Sequence, residues 1–89
     1  MKQITINGNS YKAKLNIRAA KTFEEQTGKD ISQVSTITDM ASLVYACVHA
    51  AAIAEKRDCP LTMDDIVDGV ELDELSSIVE QIAPSGQGE

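Results

Sequence analysis

Aromatic side chains are nearly missing: the 89 residues include one Phe, two Tyr and no Trp. A core without large rings must be closed by Ala, Ile, Val and Leu. A chain of this length buries only a little over about 60% of its unfolded surface. That allows one small domain and makes help from a partner or from self-association reasonable. Cysteine is also scarce. Cys47 and Cys59 are the only two, too few for the disulfide framework of a small secreted scaffold. Lys and Arg stop at Arg57, so the last thirty-two residues hold none, and the formal charge is −6 with a pI near 4.6. This balance argues against a nucleic-acid backbone as ligand, since that needs clustered basic residues. It suits a basic or neutral protein partner, or simple solubility. No apolar run reaches the ~20 residues of a membrane span. The opening "MKQITINGNS" has no apolar segment of the signal-peptide kind. The expected location is the cytoplasm.

What is present reads as an α+β, mainly α chain: an N-terminal β-hairpin packed on three to four helices, in one domain over 1–83. Ile4 and Ile6 alternate with polar residues, as do Tyr11, Ala13 and Leu15. This period of two predicts a hairpin over 3–15 with its turn in "NGNS", at Asn-Gly or Gly-Asn. Either two-residue loop sets Ile4 opposite Tyr11 or Ala13, on one face. Asn16 is placed as the N-cap of a helix over about 17–27, with Ile17, Ala20, Phe23 and Thr27 inward and Gly28 as its left-handed stop. An isolated hairpin is marginal in water, so this helix is expected to cover the hairpin as a ββα unit. One further turn is expected over 30–34. After a polar connector, a central helix over 39–56 is apolar nearly all round, with Asp39, Ser42, His49 and Lys56 in one narrow polar stripe. Such a helix belongs in the middle of a fold. Thr62, with Asp65 three residues on, opens a helix over 62–69 with apolar positions Ile66, Val67 and Val70. Leu72, Leu75, Val79 and Ile82 recur at three and four residues and define a last helix over 72–82, with Ile78 beside them. Residues 84–89, "PSGQGE", read as a disordered tail.

Catalytic and metal devices fit poorly. Cys47 and His49 look like a nucleophile and its base, but residues two apart on a helix point in nearly opposite directions. "DDIVDGVELDEL" resembles a calcium loop, yet counting from Asp64 puts Ile66 at position three and Leu75 at twelve, where oxygen ligands are required. An acyl carrier would need an exposed Ser at a helix start, whereas Ser76 and Ser77 fall inside a predicted helix. There is no Gly-rich phosphate loop and no Ser-His-Asp set. The expectation is a protein without enzymatic activity, cofactor or metal.

The order of parts carries a resemblance. A short hairpin with an Asn-Gly turn leads to a helix bearing Phe23, Glu24, Thr27 and Gly28 as Phe-Glu-x-x-Thr-Gly. A helix with Tyr45 and Ala46 follows, and then Leu61, Thr62, Asp64 and Asp65 as Leu-Thr-x-Asp-Asp at the start of a late helix. Over about residues 3–82 this resembles the tail assembly chaperones of long-tailed bacteriophages and prophages. Leu15 departs from the pattern, standing where many relatives have an aromatic. The resemblance implies a non-enzymatic protein that keeps the hydrophobic tape-measure protein soluble and recruits tail-tube subunits. A homo-oligomer is possible, and neither nucleic acid nor membrane is an expected partner. Two other readings stand beside it: another small phage structural or head–tail component, and a small acidic bacterial adaptor or inhibitor.

Leu72, Leu75, Val79 and Ile82 are the candidate partner-binding residues. The same stripe could instead close the protein's own core, because burying a Leu is worth roughly 1.5–3 kcal/mol in either place.

Overall fold

In a computed structural model, which describes residues 2–82, the chain begins with two antiparallel strands, β1 (Lys2–Ile6) and β2 (Asn9–Ala13). They are joined by Asn7 and Gly8, at φ 53° and 82°. Two successive positive φ values are what a type I′ turn requires, and Asn-Gly supplies them at least cost. Of the two loops the sequence allows, this one sets Ile4 opposite Tyr11 and Ile6 opposite Asn9. Ile4, Ile6 and Ala13 are buried and Tyr11 half-buried. The strand stops at Ala13. The Lys14 N–H leaves the hairpin and donates to the Cys47 carbonyl at 3.0 Å. Leu15 therefore lies beyond the pleat and is exposed, not inward as its spacing suggested.

Helix α1 (Ile17–Thr27) starts where Asn16 caps it, with Oδ1 accepting from the Ala19 N–H at 3.0 Å. It ends at Gly28, whose φ of 76° lets its N–H turn back to the Glu24 carbonyl at 2.8 Å. Its inner face is Ala19, Thr22 and Phe23. Ile17 is 87% exposed, which corrects the inward placement read from its spacing. The reason is the neighbour. α1 packs chiefly on α2 (Ile37–Ala54), while the hairpin packs mainly on α2 and the last helix, so α1 is not the main cover of the hairpin that the expected ββα unit required. The small side chain of Ala19 on the buried face of α1 permits close approach to α2. A helix apolar except for one narrow stripe then has more surface to offer the hairpin than α1, which carries Arg18, Lys21, Glu24 and Glu25.

α2 is the centre of the fold. It touches α1, β2, α3 (Met63–Gly69) and α4 (Leu72–Ile82), while α4 also packs on β1. With a mean hydropathy of 1.5, α2 is long and apolar enough to cross a membrane, but most of it is enclosed by these elements. It starts two residues before the expected Asp39. Thr36 is its N-cap: the Asp39 N–H donates to Thr36 Oγ1 at 3.0 Å, and the Thr36 N–H donates to Asp39 Oδ2 at 3.3 Å. It also ends two residues early. Lys56 takes the left-handed conformation at φ 58°, and the Arg57 N–H returns to the Ala52 carbonyl at 2.9 Å. A single 3₁₀ turn (Ile31–Gln33), capped by Asp30, bridges α1 and α2.

The polar stripe of α2 is not a solvent face. Asp39 and Ser42 are buried, His49 is half-buried, and Lys56 lies past the helix end. One cluster of buried side chains draws on both strands and all four α-helices, with Phe23, Val44, Val48 and Leu61 among its best-shielded members. The radius of gyration is 11.8 Å, against about 12 Å for a compact chain of this length. The segment 84–89, expected as a disordered tail, lies outside the described residues.

Candidate partner-binding groove

The residues first considered for chemistry are held apart. Cys47 is fully buried, and burial pushes its thiol up to about 12. His49 stacks on Tyr45 one turn earlier, with ring centroids 5.7 Å apart. Asp64, Asp65 and Asp68 lie on α3, and no group of three or more His, Cys, Asp or Glu side chains gathers into a metal-holding set among the described residues. Ser76 and Ser77 are exposed within α4.

The candidate partner stripe divides. Leu75 and Ile82 are 4% and 3% exposed, with Ile78 beside them in the core, and Val79 packs half-buried against the same cluster. Leu72 alone turns outward, at 68% exposed. Most of the stripe thus closes the domain, the alternative use read from the sequence. Helical geometry explains the split: Leu75, Ile78 and Ile82 form one face toward α2 and β1, and Leu72 sits at its edge.

Leu72 has other company. It lines a groove of about 150 Å³ at the end of the molecule where the N-terminus of α2 meets α3 and the start of α4. Ala41, Ile66 and Leu75 are buried beneath it, and Val70 is half-buried. Ile37 and Val67, 55% and 63% exposed, stand with Leu72 around it. The spacing of Ile66 and Val67 contained this signal. Neighbours on a helix point about 100° apart, so only one of the two could face the core. Ile37 was hidden in what read as a polar connector, although Thr36 and Asp39 have the spacing of a capping box.

The helix ends around the groove are secured locally. Thr36 and Asp39 cap α2. Thr62 and Asp65 form a second reciprocal box on α3, with N···O distances of 3.0 and 3.1 Å. Glu74 Oε1 accepts from the Glu71 N–H at 3.2 Å, at the start of α4. The link between α3 and α4 is short, and Gly69 abuts the hairpin turn: a Cβ there would sit 3.4 Å from Asn7 Cβ.

The charge on α3, α4 and their link has one sign, but none of it lines the groove: Asp64, Asp65 and Asp68 line the cleft against the hairpin turn instead. α3 carries Asp64, Asp65 and Asp68, the link carries Glu71, and α4 carries Asp73, Glu74 and Glu80. All are exposed, with no Lys or Arg among them. Where carboxylates meet cations, it is elsewhere. Lys29 Nζ lies 2.9 Å from Asp39, and Glu55 takes Lys12 at 2.6 Å and Arg57 at 2.9 Å.

A second cleft, of about 280 Å³, lies between β2 and the C-terminal half of α2, where Lys12 and Arg57 both pair with Glu55. A third, of about 230 Å³, separates the hairpin turn from α3. Neither shows an apolar rim like that of the Leu72 groove. No model of a protein family, no curated protein and no solved structure matches the chain.

Proposed function

We propose that this protein is a non-enzymatic tail assembly chaperone of a long-tailed bacteriophage or prophage, which holds the tape-measure protein soluble and brings tail-tube subunits to it. The observation that carries the reading is the groove at the α2–α3–α4 junction. Three large aliphatic side chains stand exposed around a small apolar depression, in a protein whose other exposed residues are mostly polar. Contiguous apolar surface of this kind is the usual mark of a protein contact. A groove between helices suits the apolar face of an incoming helix. The order of elements supports the same reading, since the hairpin, the glycine-stopped Phe-Glu-x-x-Thr-Gly helix, the central Tyr-Ala helix and the Leu-Thr-x-Asp-Asp helix follow the resemblance.

The test is co-expression with a phage tape-measure protein. The chaperone should raise its soluble fraction and be missing from finished virions. A tape-measure protein equally soluble with and without the chain would end this reading. Recovery of the chain in purified virions would favour a structural head–tail component instead.

A further inference from the structure

We infer that the cleft between β2 and the C-terminal half of α2 binds a small organic carboxylate, with Lys12 and Arg57 holding its anion and the wall of α2 taking its apolar body. The inference stands apart from the Leu72 groove and from the phage assignment.

Three observations carry it. The first is charge. Lys12 Nζ and Arg57 Nη2 lie 2.6 and 2.9 Å from the two oxygens of a single carboxylate, that of Glu55. Two cations against one anion leave a positive charge in excess at the cleft, in a chain whose formal charge is −6. Their exposed neighbours in sequence keep that sign, Lys14 and Lys56 against Asp58. The second is unused donors. A guanidinium has about five N–H donors and an ammonium about three, and the side chains of Lys12 and Arg57 remain 50% and 58% exposed. Gln3, Ser10 and Tyr11 bring an amide and two hydroxyls to the same lining, and none of the three makes a side-chain hydrogen bond among the described residues. The third is the wall. Val48, Ala51, Ala52 and Pro60 give the cleft an apolar side. Its volume of about 280 Å³ is just under the ~300–1,000 Å³ of drug-sized sites, so it suits a ligand with one ring or a short chain.

Glu55 shows which anion fits, because the two cations already hold its carboxylate through both oxygens. A second carboxylate supplies the one negative charge that the cleft lacks, whereas a cation would add to the excess. The acidic helices α3 and α4 do not line this cleft. At 0.1 M salt their field is largely screened beyond about 10 Å, while Lys12 and Arg57 act at contact.

The probe is benzoate, titrated into the full chain and followed by two-dimensional NMR of the backbone amides. The amides of Ser10, Lys12, Val48 and Arg57 should shift and saturate at millimolar benzoate. Benzyl alcohol, with the same ring and no charge, should bind more weakly, and benzylammonium should not bind. Lys12→Gln and Arg57→Gln should each weaken benzoate by roughly two- to fivefold, the size of an exposed ion pair, and the double variant should abolish binding. Glu55→Gln should act in the opposite sense. It removes the internal competitor and should tighten benzoate by roughly the same two- to fivefold. A purely structural role for Glu55 would not produce that gain. Lys21→Gln, on α1, should leave the affinity unchanged. The side chains of Lys12, Lys21 and Arg57 are half or more exposed, and circular dichroism verifies that every variant folds.

Shifts that never saturate, or benzyl alcohol binding as well as benzoate, would overturn the inference. So would wild-type affinity in the double variant, or a loss of affinity in Glu55→Gln. Neither result touches the chaperone reading, which is decided by the solubility of the tape-measure protein.

Discussion

Asp39 accepts hydrogen bonds from Lys29 Nζ at 2.9 Å, from the Ser35 N–H at 3.1 Å and from the Thr36 N–H at 3.3 Å, all at the buried start of α2. The Lys29 bond, opposed by burial and aided by the two amides, draws its carboxyl from 3.8 to about 2. A lowered folded pKa contributes stability that is present above the unfolded value and lost as pH falls through the folded one. Urea midpoints should therefore drop between about pH 4 and pH 2. Asp39→Asn should start lower at neutral pH and lose less over that window. Glu55 and Asp30 shift in the same direction, Glu55 chiefly through Lys12 and Asp30 through Ser32, so some acid sensitivity remains in the variant.

Cys47 works at the other end of the scale. Its thiol is raised by burial from 9.0 to about 12, so its contribution is intact below about pH 9 and fades as pH climbs toward 12. A thiol reagent at pH 8 should modify only half-buried Cys59 in the folded protein and reach Cys47 on denaturation. Cys47→Ser buries a hydroxyl in an apolar site and should cost about 1–3 kcal/mol, measured by chemical unfolding.

At the scale of elements, stops and starts are written in short side chains. α1, α2 and α3 each begin at a capping Asn or Thr. Removing one such cap, by Thr62→Ala, should lower stability by about 1 kcal/mol. The stop of α2 breaks the pattern. α1 ends on Gly28, but α2 places Lys56 in the left-handed region at φ 58°. A residue with a Cβ pays for that conformation, and Gly does not. Lys56→Gly should raise stability by about 0.5–1 kcal/mol, seen as a higher urea midpoint at unchanged slope. Gly28→Ala should move the other way, because the same conformation there is now free of strain.

The whole molecule is a small core around α2, and small cores are easily lost. A domain of this length is stable by roughly 4–13 kcal/mol. Phe23, the only Phe, is fully buried, and Phe23→Ala should cost about 3–5 kcal/mol. Ile82→Glu, at 3% exposed, should unfold the protein. Val67→Glu, at 63% exposed, should leave its circular dichroism unchanged. That contrast separates core from groove without reference to any partner.

The sequence by itself determined the local pieces. Its switch from period two to period 3.6 at Asn16, the Asn-Gly turn, the Gly28 stop and the Thr62–Asp65 cap depend on neighbours a few residues away, so their chemistry is visible in one dimension. An α+β order of hairpin then helices followed from them. Tertiary structure decided which faces meet. Ile17 and Leu15 looked inward and point out, α2 displaced α1 as the main cover of the hairpin, and Leu75 and Ile82 left Leu72 to join Ile37 and Val67 in a groove. Periodicity marks an apolar face, but it cannot say which neighbour will cover it. That choice follows from which pairing buries the most apolar surface across the whole chain, and here it belonged to a helix with only one narrow polar stripe.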